Sequence, residues 1–230
     1  GVEEPSWIPA DAVLRLGAAP PVHVGDLGDE DIEALREGAP ALRTLLSESH
    51  PAKAIVRNPY RLARLAAFPD QGRRFRSEID MAEDWWRTGD GPAAGRRERR
   101  RVLAALADAA LDGSGSIDAS GHDAGAIDAL IQREVAIEAG ADQLSFRHDV
   151  LREWAGAARL QERQALEALP VDKPLPSSFA RMVDLAARFA LEKSSDSGPW
   201  DNMLGFLSTG TAHVSWRRPA ILALVRSEIS

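Results

Sequence analysis

The residues best placed to do chemistry lie in Leu144-Ser-Phe-Arg-His-Asp-Val-Leu-Arg-Glu-Trp154. Leu144 and Phe146 alternate with Ser145 and Arg147, the two-residue period of a strand, and Val150, Leu151, Trp154 and Ala158 then supply a helical stripe. The spacing predicts a strand that hands over to a helix at His148-Asp149, with Asp149 as the N-cap carboxylate. A histidine held at such a junction can point its imidazole at a ligand and donate to an anionic oxygen. The plainer reading is a structural histidine that satisfies a backbone group. Asp149 and Glu153 share a helix face at i, i+4, a spacing compatible with acid–base work but commonplace on helix surfaces.

Other candidate groups are weaker. Asp112-Gly-Ser-Gly-Ser-Ile-Asp118 imitates a calcium-binding loop when aligned on Gly115 and Ile117. Ala110 and Gly121 then stand where the opening aspartate and closing bidentate glutamate belong, so the main charge is missing and the segment reads as a solvated loop. Arg96-Arg-Glu-Arg-Arg-Arg101 raises the question of duplex DNA. The helix predicted over Asp123 to Glu134 would have to enter the groove, and it sets Gln132 and Arg133 beside Asp123, Asp128 and Glu134. Specific DNA binding is therefore disfavoured, and the arginine run reads as a solvated or partner-facing surface. The chain has no Gly-x-x-x-x-Gly-Lys-Ser/Thr segment and no apolar strand ending in paired acids. Gly91-Pro-Ala-Ala-Gly95-Arg has the wrong spacing to cradle phosphates and reads as a flexible loop.

Composition sets the outer limits. The 230 residues are 44% hydrophobic and 27% charged, the balance of an ordinary globular chain, with room for one large domain or two to three small ones. Cysteine is absent, which excludes disulfides, thiol catalysis and thiolate metal sites. A net charge of −7 argues against wrapping nucleic acid as the main task. No apolar run approaches the roughly 18 residues that would span a bilayer, and Gly-Val-Glu-Glu-Pro is no signal peptide, so a cytoplasmic protein away from membranes is expected.

The elements that must position these residues fall into four stretches. Residues 1–24 are rich in proline and read as an extended arm, with Val22 and Val24 alternating about His23. Residues 25–72 read as a small helical unit. One helix opens after Gly28 with acids in its first turn, a second carries Leu42, Leu45 and Leu46, and a third starts at Asn58-Pro59 with proline at its favoured first position. Residues 77–160 read as three helices and a β-hairpin, the order of a winged-helix domain. Ser77 caps the first helix with Asp80 in a capping-box position. Residues 161–230 read as the start of an α-solenoid, with helices bearing Phe179 to Phe189, Trp200 to Leu207 and Ile221 to Val225. The predicted fold class is mainly α, with a single hairpin wing.

Arg57-Asn-Pro-Tyr-Arg-Leu-Ala-Arg-Leu-Ala66 resembles the Asn-Pro helix start of NACHT-type NTPases and is similar to the Gly-Leu-Pro-Leu segment of their NB-ARC relatives. Phe146-Arg-His-Asp-Val-Leu-Arg-Glu-Trp154 resembles the Met-His-Asp motif that ends the NB-ARC winged helix, departing from it at Arg147. Val22-His-Val-Gly-Asp-Leu27 looks like the segment that leaves the nucleotide-binding core. The ordered combination, over roughly residues 20–160, resembles the STAND class of AAA+-related signal-transduction ATPases. That resemblance implies that Pro59, with Asn58 before it, packs on adenine, that His148 bonds the β-phosphate of ADP, and that Asp149 caps the switch helix. It further implies ADP or ATP as cofactor, bound with a nucleotide-binding core this chain lacks, and hence no hydrolysis and no tightly bound nucleotide here. Partners would be that core and downstream sensor repeats, with oligomerisation on activation, in settings such as immunity and antiviral defence or transcriptional control. Without the resemblance, Pro59 is an ordinary N1 proline. A winged-helix nucleic-acid-binding regulator and a helical-repeat interaction scaffold remain the alternatives.

Overall fold

The computed structural model describes residues 26–53, 55–68, 73–163, 166, 169–194 and 197–227. The extended arm expected over residues 1–24 lies outside them. The chain divides into two compact units, residues 1–72 and 73–230. It is mainly helical with one small antiparallel sheet, and among the described residues no helix is long and apolar enough to cross a membrane.

In the first unit, helix α1 spans Asp29–Gly38 and α2 spans Pro59–Ala66. Asp29, Glu30 and Asp31 crowd the first turn of α1, where carboxylates meet the positive end of the helix dipole. The Asp31 carboxylate accepts from the Gly28 N–H at 2.8 Å. The helix expected around Leu42 to Leu46 is not a regular helix: Pro40–Leu42 forms one 3-10 turn, and tight turns follow. Local side chains compete for the backbone here. Ser47 Oγ accepts from the Ser49 N–H and His50 Nδ1 from the Ala52 N–H, holding successive turns where an α-ladder would need those donors. Leu45, Leu46, Ile55, Leu62 and Leu65 are nonetheless buried together as the apolar side chains of this unit.

The second unit begins with α3, Glu78–Thr88, and α4, Arg96–Asp112. Strand β1 (Ser116–Asp118), helix α5 (Ala124–Gln132), strand β2 (Ala136–Gly140) and strand β3 (Gln143–Phe146) follow. The expected hairpin is present, with Ile137 opposite Ser145 and Glu138 opposite Leu144. The sheet has a third strand, which corrects the reading of Asp112–Asp118 as a solvated loop throughout. β1 pairs antiparallel with β3, Ile117 opposite Leu144, so the sheet order is β1-β3-β2. A three-residue strand with a single apolar side chain carries too little period to be seen in a sequence. Ser77 caps α3 as expected: its Oγ accepts from the Asp80 N–H at 3.2 Å, and Asp80 Oδ2 accepts back from the Ser77 N–H at 3.1 Å.

Helix α6 (Asp149–Arg163) returns across α3 and α4, and α7 (Ser177–Glu192) packs along it. Gly156 permits that approach, because a Cβ there would stand 2.5 Å from Met182 Sδ. Helices α8 (Gly198–Leu207) and α9 (Arg217–Arg226) close over α7. The core is built on Trp154, fully buried, with its ring 6.0 Å from that of Trp85. Trp85 also lies 6.5 Å from Phe146, so α3, α6 and the end of β3 share one aromatic cluster. A second aromatic pair, Phe179 and Trp216 at 6.2 Å, anchors the C-terminal helices. The Trp216 indole N–H donates to the Lys173 carbonyl at 2.8 Å.

Candidate functional site

Asn58 and Pro59 belong to the first unit, His148 and Asp149 to the second, and each pair is described within its own unit. Asn58 holds extended backbone, and its side-chain oxygen accepts from the Arg61 N–H at 3.2 Å, which makes it the N-cap of α2. Pro59 takes the first helical position, where a missing N–H is no loss, and is half-buried. Arg57 fixes the approach to this turn. It pairs with Asp29 at 2.5 Å, and its N–H groups reach the Leu27 carbonyl at 3.1 Å. The Asp29 carboxylate, by that hydrogen bond and its charge, raises the Arg57 guanidinium above its ordinary value.

At the other candidate position β3 runs straight into α6. The His148 carbonyl accepts from the Leu151 and Arg152 N–H groups at 3.1 and 3.2 Å, so His148 itself occupies the capping position and Asp149 the first turn. Asp149 was expected one residue earlier in that geometry. As a first-turn carboxylate it is exposed, favoured by the helix dipole, and paired with Arg152 at 3.0 Å. His148 is half-buried, and Arg147, its neighbour in sequence, reaches Glu134 at 3.5 Å. The N-terminus of a helix, with its free N–H groups and positive dipole end, is where an anion is favoured.

Glu153, one turn along α6, is driven up to about 7, by burial above all, with the Asp149 and Glu78 charges adding and Arg181 and Arg152 opposing. It borders a buried array of charges not foreseen from spacing. Glu78, 2% exposed, accepts from the Trp154 indole N–H at 3.1 Å, from Arg188 at 3.3 Å and from Arg181. Asp184, 1% exposed, takes Arg181 at 2.6 Å and Arg226 at 3.2 Å. Burial alone would lower the Arg181 guanidinium, but the Glu78, Asp184 and Glu153 charges hold it above its ordinary value. Glu78 and Asp184 spend their oxygens on these donors, so the array ties α3 and α6 to α7 and α9.

The arginine run splits in two, which corrects its reading as a uniformly outward surface. Arg99 is buried and donates to the carbonyls of Gly89, Pro92 and Ala94 at 2.8, 2.5 and 2.7 Å, stapling the α3–α4 loop. Arg96, Arg97, Arg100 and Arg101 face a groove against α6. The calcium-like segment is spent on local structure, with Asp112 accepting from the Ser114 N–H and Asp118 from the Ser120 N–H. Among the described residues no three acidic, histidine or cysteine side chains gather as a metal site. Comparison of the chain with protein-family models, with curated proteins and with solved structures finds no match.

Proposed function

We propose that this chain is the regulatory switch portion of a STAND-type signal-transduction ATPase, closing with a separate nucleotide-binding core around ADP or ATP. The observation that carries the reading is the run from β3 into α6, with His148 at the capping position of that helix. Supporting it are the order α-α-β-α-β-β with sheet order β1-β3-β2, compatible with a winged helix, and a small helical unit before it that holds an Asn-capped Pro59. The α7–α9 helices that follow are compatible with the start of a helical-repeat region that senses a trigger.

Each candidate, taken within its own unit, is compatible with one contact to a nucleotide. Pro59, half-buried, would offer an apolar ring to adenine, while Asn58 shapes the turn through its cap. His148 would donate to a phosphate oxygen at the positive end of α6. ADP bound this way would hold a resting state and its release would free the switch. The duplex-binding reading is weaker, since α5 exposes Asp128 and is followed by exposed Glu134 beside Gln132 and Arg133.

The test is made on His148→Ala in a polypeptide that joins this chain to its nucleotide-binding core. One charge-assisted hydrogen bond is worth about 1.5–3 kcal/mol, so ADP should leave roughly 10- to 150-fold more readily while the melting temperature barely moves. Loss of thermal stability with unchanged ADP release would mark His148 as structural and end this assignment. The chain alone should turn over no ATP.

A further inference from the structure

We propose that the groove between α4 and α6 is a binding site for a compact oligophosphate, separate from the nucleotide position proposed for His148. The groove is open, with a volume of about 520 Å³, and is lined by Arg96, Arg97, Arg100, Arg101 and Arg159 together with Trp86 and Glu162. That volume lies within the usual range for a small-molecule ligand.

The charge balance inside the groove is the argument. Arg159 is neutralised, gripping Asp108 in a two-pronged pair at 2.9 and 3.1 Å and touching Glu162 at 3.2 Å. Arg100 shares the same Glu162 at 2.8 Å and lies 5.9 Å over the Trp86 ring, whose indole N–H also donates to Glu162. Arg101 pairs with Glu98 at 2.8 Å. Arg96 and Arg97 make no ion pair among the described residues. Four guanidiniums thus sit at i, i+1, i+4 and i+5 on one helix, two rungs about 6 Å apart along its axis. After the Arg100–Glu162 and Arg101–Glu98 pairs, the charge left without a counter-ion among the described residues rests on Arg96 and Arg97, where an entering anion would be favoured. The ε nitrogens of Arg96 and Arg100 are shut off from solvent with no acceptor, so these side chains are partly stripped of water and act in a lower dielectric. Guanidinium forks match the paired oxygens of phosphate groups, and a linear oligophosphate carries charge along both rungs.

Size separates this ligand from a nucleic-acid backbone. The basic surface is bounded by Glu98, Asp108 and Glu162, in a chain of net charge −7. A long polyanion would leave the groove and meet repulsion, whereas a short one need not.

Isothermal titration of sodium triphosphate into the full chain at low salt tests the site. The expected result is one site with a dissociation constant of roughly 0.1 mM, weakening as salt screens the charges. Arg97→Ala, at an exposed position that the fold does not need, should weaken binding about tenfold, or about 1.4 kcal/mol. Arg96→Ala should act in the same direction, and Arg218→Ala, which removes the same charge from α9, should leave the affinity unchanged. Absence of saturable binding, or equal losses in all three variants, would overturn the proposal. So would Arg97-dependent binding of a single-stranded 12-nucleotide oligomer or of hexaglutamate that is tighter than triphosphate, since either would reassign the groove to a nucleic-acid backbone or an acidic peptide.

Discussion

Arg99 shows how one side chain can hold a loop that has no regular structure of its own. Its guanidinium supplies donors to three loop carbonyls, against burial that pulls the group below its ordinary value. Arg99→Ala should destabilise the second unit by about 2–4 kcal/mol, read as a shift of the urea midpoint, because the carbonyls lose their donors and a cavity opens. Arg99→Lys should rescue little, since one ammonium cannot span the same fan of acceptors. Glu153 gives a prediction in pH. Its folded value of about 7 lies above the ordinary 4.5, so the folded state binds a proton that the unfolded state releases between those values. Glu153 therefore stabilises least above pH 7, and its contribution grows as pH falls towards 4.5. Glu153→Gln should flatten this slope and raise stability at pH 8, and unfolding curves at pH 5, 6, 7 and 8 that retain the wild-type slope would refute the assignment. Little of this was legible beforehand. Ser77 and Asp80 announced their cap because both partners lie three residues apart, whereas Glu78 reads as an ordinary solvated first-turn acid. Its partners Arg181 and Arg188 stand 103 and 110 residues away.

The helices were legible where an apolar stripe persists over several turns, as in α3, α4, α6 and α7, and the hairpin where Leu144 and Phe146 alternate beside a turn. Elements governed by pairing or local competition were not. β1 exists because β3 offers an open edge to Ile117, and beyond Pro40–Leu42 the chain runs in tight turns in which serine and histidine side chains capture the Ser49 and Ala52 N–H groups. The approach of α6 to α7 rests on Gly156, a residue that sequence patterning reads only as a mild helix weakener. Gly156→Ala adds helix propensity yet drives a methyl into Met182. The clash should win, costing about 1–3 kcal/mol. Pairing it with Met182→Ala should recover part of the loss, and a double mutant no more stable than the sum of the two single changes would show that the contact does not limit this packing.

At the scale of the whole molecule, the tryptophans divide the labour of observation. Trp85, Trp86, Trp154, Trp200 and Trp216 all lie in the unit spanning residues 73–230, and Trp7 lies outside the described residues. Tryptophan fluorescence should follow mainly that unit during urea unfolding, while far-ultraviolet dichroism follows both. The two probes should separate if the units unfold independently, and coincident curves for the full chain would show one cooperative transition instead. The charge array has a mechanical consequence of its own. Apolar helix faces can slide past one another and repack, but Glu78 meets its guanidiniums at only one register. A slip of α7 by one turn, about 5.4 Å, would carry Arg181 and Arg188 away and strand a buried carboxylate, at roughly 3–5 kcal/mol. Small axial forces on α7 would therefore be transmitted to the first turn of α3, where Glu78 follows the Ser77 cap, before the helices could slip: the contact behaves as a keyed joint rather than a greased one.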